Sequence, residues 1–248
     1  MILKVENLSL GYRNKQIFEN YTLTLAPGEI CAILGPSGCG KTSLLNILAG
    51  NITHYTGQVS LGGAPINYRQ QNIGFVAQDY GLLPWLTVYQ NVILPLKIKG
   101  LPIGPYADKI AYLFDRLAIG PLRNSYPLRL SGGERQRVSI AAAFLLDLDL
   151  LLLDEPFSAL DQITREETQD LFLQVWSELK PSTVFVTHSI DEAVFLGQKI
   201  ILLSKSPANV IEEIVLDKNS QGDIRSSDGY LEACKKIRTI MKREWGPQ

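Results

Sequence analysis

The chain has 248 residues, 46% of them hydrophobic and 20% charged, with a formal net charge of −1. That is enough length and apolar content for a substantial core, in one large domain or one domain carrying an inserted lobe. It excludes a strongly basic nucleic-acid binder, whose phosphate contacts need a net positive surface.

Residues 1–34 read as β structure. Leu3, Val5, Leu8 and Leu10 lead to a turn at Gly11 to Lys15. Strands at Ile17 to Leu25 and Glu29 to Leu34 are separated by Pro27-Gly28. Lys41 to Ala49 reads as a helix with Leu44, Leu45 and Leu48 on one side, and short strands fit Gly57 to Leu61 and Asn72 to Val76. After Gln78 the pattern turns helical, at Thr87 to Ile98, Tyr106 to Leu117 and Arg135 to Leu146, which marks a candidate lobe from Leu83 to Asp147. Strand and helix then alternate: Leu150 to Leu153, Asp161 to Leu179, Thr183 to Thr187, Asp191 to Leu196 and Lys199 to Ser204. Unalternating apolar strands between helices predict a parallel sheet covered on both faces. A polar stretch, Asp217 to Asp228, precedes an amphipathic helix with Leu231, Cys234, Ile237 and Met241 on its apolar side.

Three cysteines, Cys31, Cys39 and Cys234, form neither a C-x-x-C pair nor a disulfide framework, so a reduced setting is expected. Lys4 and Glu6 come too early for a signal peptide. The longest apolar run, Ala141 to Leu153, is broken by Asp147 and Asp149, whereas a spanning helix needs about 20 apolar residues. The chain is not expected to cross a membrane by itself.

Gly35-Pro36-Ser37-Gly38-Cys39-Gly40-Lys41-Thr42 matches G-x-x-x-x-G-K-[ST] between a strand and a helix, the context this motif requires. Its glycines let the backbone wrap phosphates, Lys41 suits the β- and γ-phosphates, and the Thr42 hydroxyl suits Mg²⁺. Leu151-Leu152-Leu153-Asp154-Glu155 is an apolar strand ending in two carboxylates. Asp154 suits the Mg²⁺ shell, and Glu155 suits a general base for an attacking water. A solvated acidic turn is the competing reading, weakened by the wholly apolar strand. His188 and Gln78 each follow a short strand, where an open α/β sheet places its ligands, though either alone reads equally as structural. Tyr12 suits stacking on an adenine, with an edge-exposed aromatic as the alternative. Cys39 lies inside the phosphate loop, where alkylation is expected to block phosphate binding. His54 carries no signal beyond packing or surface.

Leu130-Ser131-Gly132-Gly133-Glu134 opens another helix with bare backbone N–H groups and a hydroxyl, a second anion site. One nucleotide does not need two cradles. The simplest reading is that the second serves a nucleotide held by another copy of the chain.

Taken in order, Tyr12, Gly35 to Thr42, Gln78, Leu130 to Glu134, Leu151 to Glu155, Ser158-Ala159-Leu160-Asp161 and His188 resemble the nucleotide-binding subunit of an ABC transporter over essentially the whole chain. The resemblance implies an α/β fold: a P-loop NTPase cassette with a RecA-like parallel-sheet core, an N-terminal antiparallel β subdomain and an inserted α-helical subdomain. It implies one nucleotide-binding domain over 1–248, with core 1–82 and 148–248 and helical subdomain 83–147. It implies hydrolysis of ATP with Mg²⁺. Glu155, His188, Gln78 and Lys41 would take part in the chemistry. Tyr12, Gly35, Pro36, Ser37, Gly38, Cys39, Gly40, Lys41, Thr42, Ser43, Ser131, Gly132, Gly133 and Asp161 would contact ATP. Thr42, Gln78 and Asp154 would hold the metal.

Leu82 to Val92, with Pro84-Trp85, is similar to the ATPases of nitrate, sulfonate and taurine importers. This implies a homodimer on the cytoplasmic face of the cell membrane, integral membrane permease partners, a solute-binding protein acting indirectly, and no nucleic acid. Glu134 stands where glutamine is usual, Ala142 where arginine is frequent, Leu148 where proline usually precedes the acidic strand, and Gln198 where aspartate is frequent. Regulatory C-terminal domains are not expected. A soluble, non-transport ABC ATPase is the alternative. The close spacing of Lys41 and Ser131 leaves no room for the coiled coils of repair ATPases, and a single cassette differs from the paired cassettes of translation factors.

Overall fold

The first strand of the computed structural model changes face partway along. In β1, Leu3–Tyr12, Leu3 and Val5 point inward, then Leu8 and Leu10. The switch from odd to even positions falls at a register shift between Val5 and Leu8, with Asn7 left-handed at φ 52°. One extra residue in a strand reverses the facing of all that follow, which defines a bulge. The structure describes residues 1–12, 15–216 and 224–246. Part of the turn expected at Gly11 to Lys15, and most of the polar stretch expected at Asp217 to Asp228, lie outside the described residues.

The chain divides into two units, Met1–Gln71 with Ser182–Gln248, and Asn72–Pro181. In the first, β1 pairs antiparallel with β2 (Lys15–Leu25) and β4 (Thr56–Leu61), and β4 returns into β5 (Ala64–Pro65), giving the order β2-β1-β4-β5. The β4–β5 turn is Gly62-Gly63, both at positive φ, as a two-residue primed turn requires. A second layer holds β3 (Ile30–Leu34), parallel to β8 (Ser182–Thr187) and to β9 (Lys199–Leu203). Every residue of β3 and β8 is buried. That explains their continuous apolar runs, since helices cover parallel strands on both faces. α1 (Lys41–Leu48), α7 (Ile190–Leu196) and α8 (Asp228–Trp245) belong to this unit.

Two features of this unit differ from expectation. β10, Val210–Val215, pairs antiparallel with β9; its mostly exposed residues carry little apolar signal. α8 buries Ala233, Cys234, Ile237 and Ile240, while Leu231 is 48% exposed. Its inward face is rotated from the expected one.

In the second unit, β6 (Ile73–Val76) and β7 (Leu150–Asp154) pair in parallel. The helix expected over Thr87 to Ile98 is two helices, α2 (Val88–Val92) and α3 (Leu94–Ile98), joined at Ile93. Pro95 causes the break: it lacks the N–H that would reach the Asn91 carbonyl and its ring crowds the preceding turn. α4 (Ala107–Arg116), α5 (Gly132–Phe144) and α6 (Gln162–Leu179) complete the unit. Phe172 of α6 is its aromatic centre, 5.7 Å from Phe144 and 6.1 Å from Phe157 between ring centroids. No helix among the described residues is long and apolar enough to cross a membrane.

Candidate nucleotide site

The first unit carries the phosphate loop. β3 delivers the chain at Leu34, and residues 35–40 turn it into α1. Two residues must be left-handed for this turn, Gly38 at φ 74° and Gly40 at φ 113°. Only glycine takes such values without strain. Gly40 is fixed twice over, because a Cβ there would fall 2.3 Å from Ile17 Cγ2. Gly40 is also the N-cap of α1, with no side chain capping the helix and no acidic residue in its first turn. The opening N–H groups of α1 therefore face outward with the positive end of the helix dipole, a fit for an anion.

Lys41 is 8% exposed, and its Nζ donates to the carbonyls of Gly35 at 2.7 Å and Pro36 at 3.1 Å. The ammonium thus braces the inside of the loop while keeping a proton for a phosphate oxygen. Lys15, given no role by the sequence, adds a second ammonium at 3.4 Å from the Gly38 carbonyl. Ser37 and Thr42 are exposed and Ser43 is half-buried. Cys39 is 1% exposed, and burial raises its thiol pKa against the lowering pull of Lys41. Alkylation of Cys39 therefore requires the loop to open and is slower than the sequence alone suggests.

Two more candidates belong to this unit. Tyr12 ends β1 at 40% exposure, a free aromatic face at the unit's edge. His54, passed over in the sequence, lies edge-on to it at 5.9 Å. Antiparallel pairing of Ser9 with Thr56 carries the loop before β4 back towards Tyr12. His188 is exposed, the one residue between the end of β8 and Ser189, the N-cap of α7.

The second unit carries the acidic strand end and the second helix start. Leu150 to Leu153 are fully buried, and Asp154 ends β7 at 7% exposure. The next residue, Glu155, is left-handed at φ 45°. A non-glycine residue in that region stores strain of order 1 kcal/mol or more, and it turns the Glu155 side chain out of the strand direction. The loop after it is closed by Ser158 Oγ donating to the Glu155 carbonyl at 2.9 Å. Arg165 of α6 then donates to the carbonyls of Phe157 at 3.2 Å and Leu160 at 2.7 Å. Asp161 caps α6, accepting from Thr164 N at 3.1 Å; the Thr164 hydroxyl first, and this backbone bond second, lower its carboxyl pKa. Gln78 is exposed just beyond β6.

Ser131 is the N-cap of α5 in a capping box. Its Oγ accepts from Glu134 N at 3.2 Å, and Glu134 Oε2 accepts from Ser131 N at 2.7 Å. Glu134 replaces the usual glutamine without loss, because a carboxylate completes this box equally well. Accepting through a lone pair leaves the Ser131 hydroxyl proton for another partner. Gly133 is obligatory for packing too: a Cβ would meet Thr164 Cγ2 at 2.3 Å.

Two residues that the sequence did not single out organise the surroundings of Gln78. Tyr80, left-handed at φ 69°, accepts through its carbonyl from Ser139 of α5 at 2.7 Å and places its ring 5.2 Å from the Arg135 guanidinium. Asn91, 3% exposed, accepts from Leu83 N at 2.8 Å and donates to the carbonyls of Leu83, Leu86 and Thr87 at 3.0–3.1 Å. One side-chain amide thereby fixes the whole turn that carries Trp85. Aperiodic side-chain-to-backbone bonds of this kind leave no mark in hydrophobic spacing.

Thr42, Gln78 and Asp154 offer oxygen donors only, the ligand type Mg²⁺ takes. Among the described residues no group of His, Cys, Asp or Glu forms a self-sufficient metal cage.

Comparison with known proteins gives a consistent picture. The family model described as ABC transporter matches residues 18–158. The chain is similar to the taurine import ATP-binding protein of Yersinia pseudotuberculosis, at 38% identity over 98% of this chain and 95% of the relative. It is similar to the aliphatic sulfonates import ATP-binding protein of Bacillus cereus, at 37% identity over 93% and 90%. A solved ABC cassette, dimeric and bound to ADP and Pi after hydrolysis, aligns with a TM-score of 0.74 at 32% identity, covering 87% of this chain and 99% of that one. The chain therefore belongs to the ABC transporter family. Its α/β fold is the P-loop ABC cassette, and it is an ATPase.

Proposed function

We propose that this chain is the ATP-hydrolysing subunit of an importer for a small sulfonate of the taurine type, acting as a head-to-tail homodimer on the cytoplasmic face of the membrane. One observation carries the dimer. The chain holds a complete phosphate loop and, at Ser131 to Glu134, a second helix start built to meet an anion. A twofold axis pairs the loop of each copy with the second start of its partner. The dimeric state of the solved cassette supports this, and the names of the import relatives support the cargo.

In this reading the opening N–H groups of α1 and Lys41 bind the phosphates of ATP, with Gly35 to Ser43 as the cradle. Tyr12 stacks on adenine. Thr42, Gln78 and Asp154 hold Mg²⁺, which neutralises phosphate charge. Glu155, turned out by its left-handed backbone, polarises the attacking water, and His188 donates to the γ-phosphate. Ser131, Gly132 and Gly133 of one copy meet the γ-phosphate of the other, with Asp161 near the same junction. Moving a pair from mostly open to mostly closed takes about 5.5 kcal/mol of differential binding. Charge-assisted hydrogen bonds contribute about 1.5–3 kcal/mol each, so a few per site suffice and the loss of γ-phosphate reopens the pair.

Coupling to a permease follows from the second unit. Trp85 is 69% exposed and Ile98 76% exposed. Ile98 also lines a cleft of about 180 Å³ with Phe75, Tyr80, Leu82, Leu94 and Pro95. An aromatic held outward on a turn pinned by Asn91 is placed for a partner surface, not for the core. Such a partner would be an integral permease that receives solute from a binding protein. Cross-linking through position 85 in native membranes should capture a multi-span membrane protein, and Trp85→Ala should lower transport more than basal ATPase. Capture of no membrane protein, with transport unchanged in the variant, would contradict the reading.

A further inference from the structure

His188 sits on a turn gripped from both sides. Ahead of it, Thr187 Oγ1 donates to Glu192 Oε2 at 2.5 Å and accepts from Ser189 N at 3.0 Å. Behind it, Ser189 Oγ accepts from Glu192 N at 3.3 Å. Thr187 and Glu192 are 1% and 3% exposed, so this ring of bonds is sheltered from water. The peptide of His188 therefore goes where α7 goes. Yet α7 spans only Ile190–Leu196, too short to hold its shape without packing.

β3 and β8 pack on one side of α7, and α8 packs on it as well. Asp191, in the first turn of α7, accepts from Tyr230 Oη at 3.2 Å, and Cys234 Sγ lies 3.9 Å from the same carboxylate oxygen. Burial first, then the charge of Asp191, raises the Tyr230 pKa, so the phenol stays a donor. Ala233, Cys234 and Ile237 of α8 and Ala193, Val194 and Phe195 of α7 are buried. Just before α8, the Arg225 guanidinium lies 3.5 Å from the centroid of the Phe195 ring. α8 starts at the Ser227 cap, whose Oγ accepts from Tyr230 N at 3.3 Å, so the residue that grips α7 also belongs to the first turn of α8.

We propose that α8 is the brace of the switch turn: Tyr230 and Asp191 are positioning residues that act through α7 to hold His188 in register for the γ-phosphate. This rests on the assignment of His188 to ATP hydrolysis. A donor displaced by an ångström loses most of its effect on a transition state, whereas the phosphate loop holds ATP through its own backbone N–H groups and Lys41. The effect therefore falls on kcat and spares KM.

The test is steady-state ATPase of the purified full chain with MgATP. Tyr230→Phe, which keeps the ring and removes the donor, should lower kcat about three- to tenfold, the worth of one ordinary exposed hydrogen bond, with KM within about twofold. Asp191→Asn, which retains an acceptor oxygen, should lose less than Asp191→Ala. In a His188→Ala background, Tyr230→Phe should add nothing further, because its only route to the chemistry has been removed. Unchanged kcat in both Tyr230→Phe and Asp191→Ala overturns the proposal. So does a kcat loss that persists undiminished in the His188→Ala background, since that marks a purely structural role. Near-normal turnover in His188→Ala alone would instead overturn the assignment of His188, a separate failure.

Discussion

The two helix starts proposed to meet anions, Gly40 at α1 and Ser131 at α5, are built in opposite ways. At α1 the cap is a glycine with no side-chain bond, the turn is forced by left-handed glycines, and two ammoniums lie on the loop, Lys41 folded onto the carbonyls of Gly35 and Pro36 and Lys15 beside that of Gly38. At α5 the chain closes its own helix end with a capping box, and its spare resources are a hydroxyl proton and glycine N–H groups. The first start can hold a charged ligand alone. The second spends the Glu134 carboxylate on closing its own cap and is suited to add to a phosphate brought by something else. The difference between the two is the physical reason for a cassette that works in pairs.

The largest effect separates closure from chemistry. Glu155→Gln removes the proposed base and leaves both helix starts intact, so kcat should fall by about 10²–10⁴ while ATP still drives the chain into dimers. Turnover assays and ATP-dependent size-exclusion chromatography check the two halves of that statement. Next come the starts themselves. Lys41→Ala should cost about 10²–10³ in turnover and weaken ATP binding by one chain. Ser131→Ala should leave binding by one chain near normal, lower turnover by about tenfold through one lost phosphate bond, and destabilise α5 by about 1 kcal/mol. Isothermal titration at low protein concentration, compared with thermal melts, distinguishes them. Equal loss of single-chain ATP affinity in both variants would erase the distinction.

Much of the site was legible in the sequence because it is written in local backbone chemistry. A glycine-rich turn between strand and helix, an apolar strand ending in acids, and a serine three residues before a glutamate each specify a geometry within a few residues. Helix starts followed their caps, and α5 begins at Gly132, three residues before the expected Arg135, because Ser131 caps it. What stayed hidden depends on residues distant in sequence or on single aperiodic side chains. β10 exists because β9 offers an edge to pair with. Asn91 looked like any polar helix residue, yet it holds the turn of Trp85. Tyr80 and Arg165 act through backbone carbonyls and ring faces that no spacing rule reports. The inward face of α8 keeps Ile237 and Ile240 but takes Ala233 in place of Leu231, a choice its own spacing does not report.

Smaller effects sharpen the comparison of the two starts. Glu134→Gln should leave stability nearly unchanged and Glu134→Ala should lower it by about 0.5–1 kcal/mol, because an amide completes the capping box and a methyl does not. Differential scanning calorimetry at fixed nucleotide reads both. The smallest effect is acidic. Hydrogen bonds from the Thr164 hydroxyl and then from the Thr164 backbone N–H lower the folded-state pKa of Asp161. Its contribution is present above the unfolded carboxylate value and is lost as pH falls through the folded value. Asp161→Asn, which still caps but does not ionise, should therefore flatten the acid limb of stability against pH and leave neutral stability almost the same. An unaltered acid limb would assign that limb to other carboxylates.

The central claim is that each working site takes its phosphate loop from one chain and its second helix start from another. Chains carrying Lys41→Ala and chains carrying Ser131→Arg should each be nearly inactive alone. Mixed and allowed to exchange, they form heterodimers in which one site is assembled wholly from unaltered parts. Activity of the mixture should then rise well above the sum of the two separate preparations. A mixture no more active than that sum, with heterodimers shown to be present, would contradict the claim.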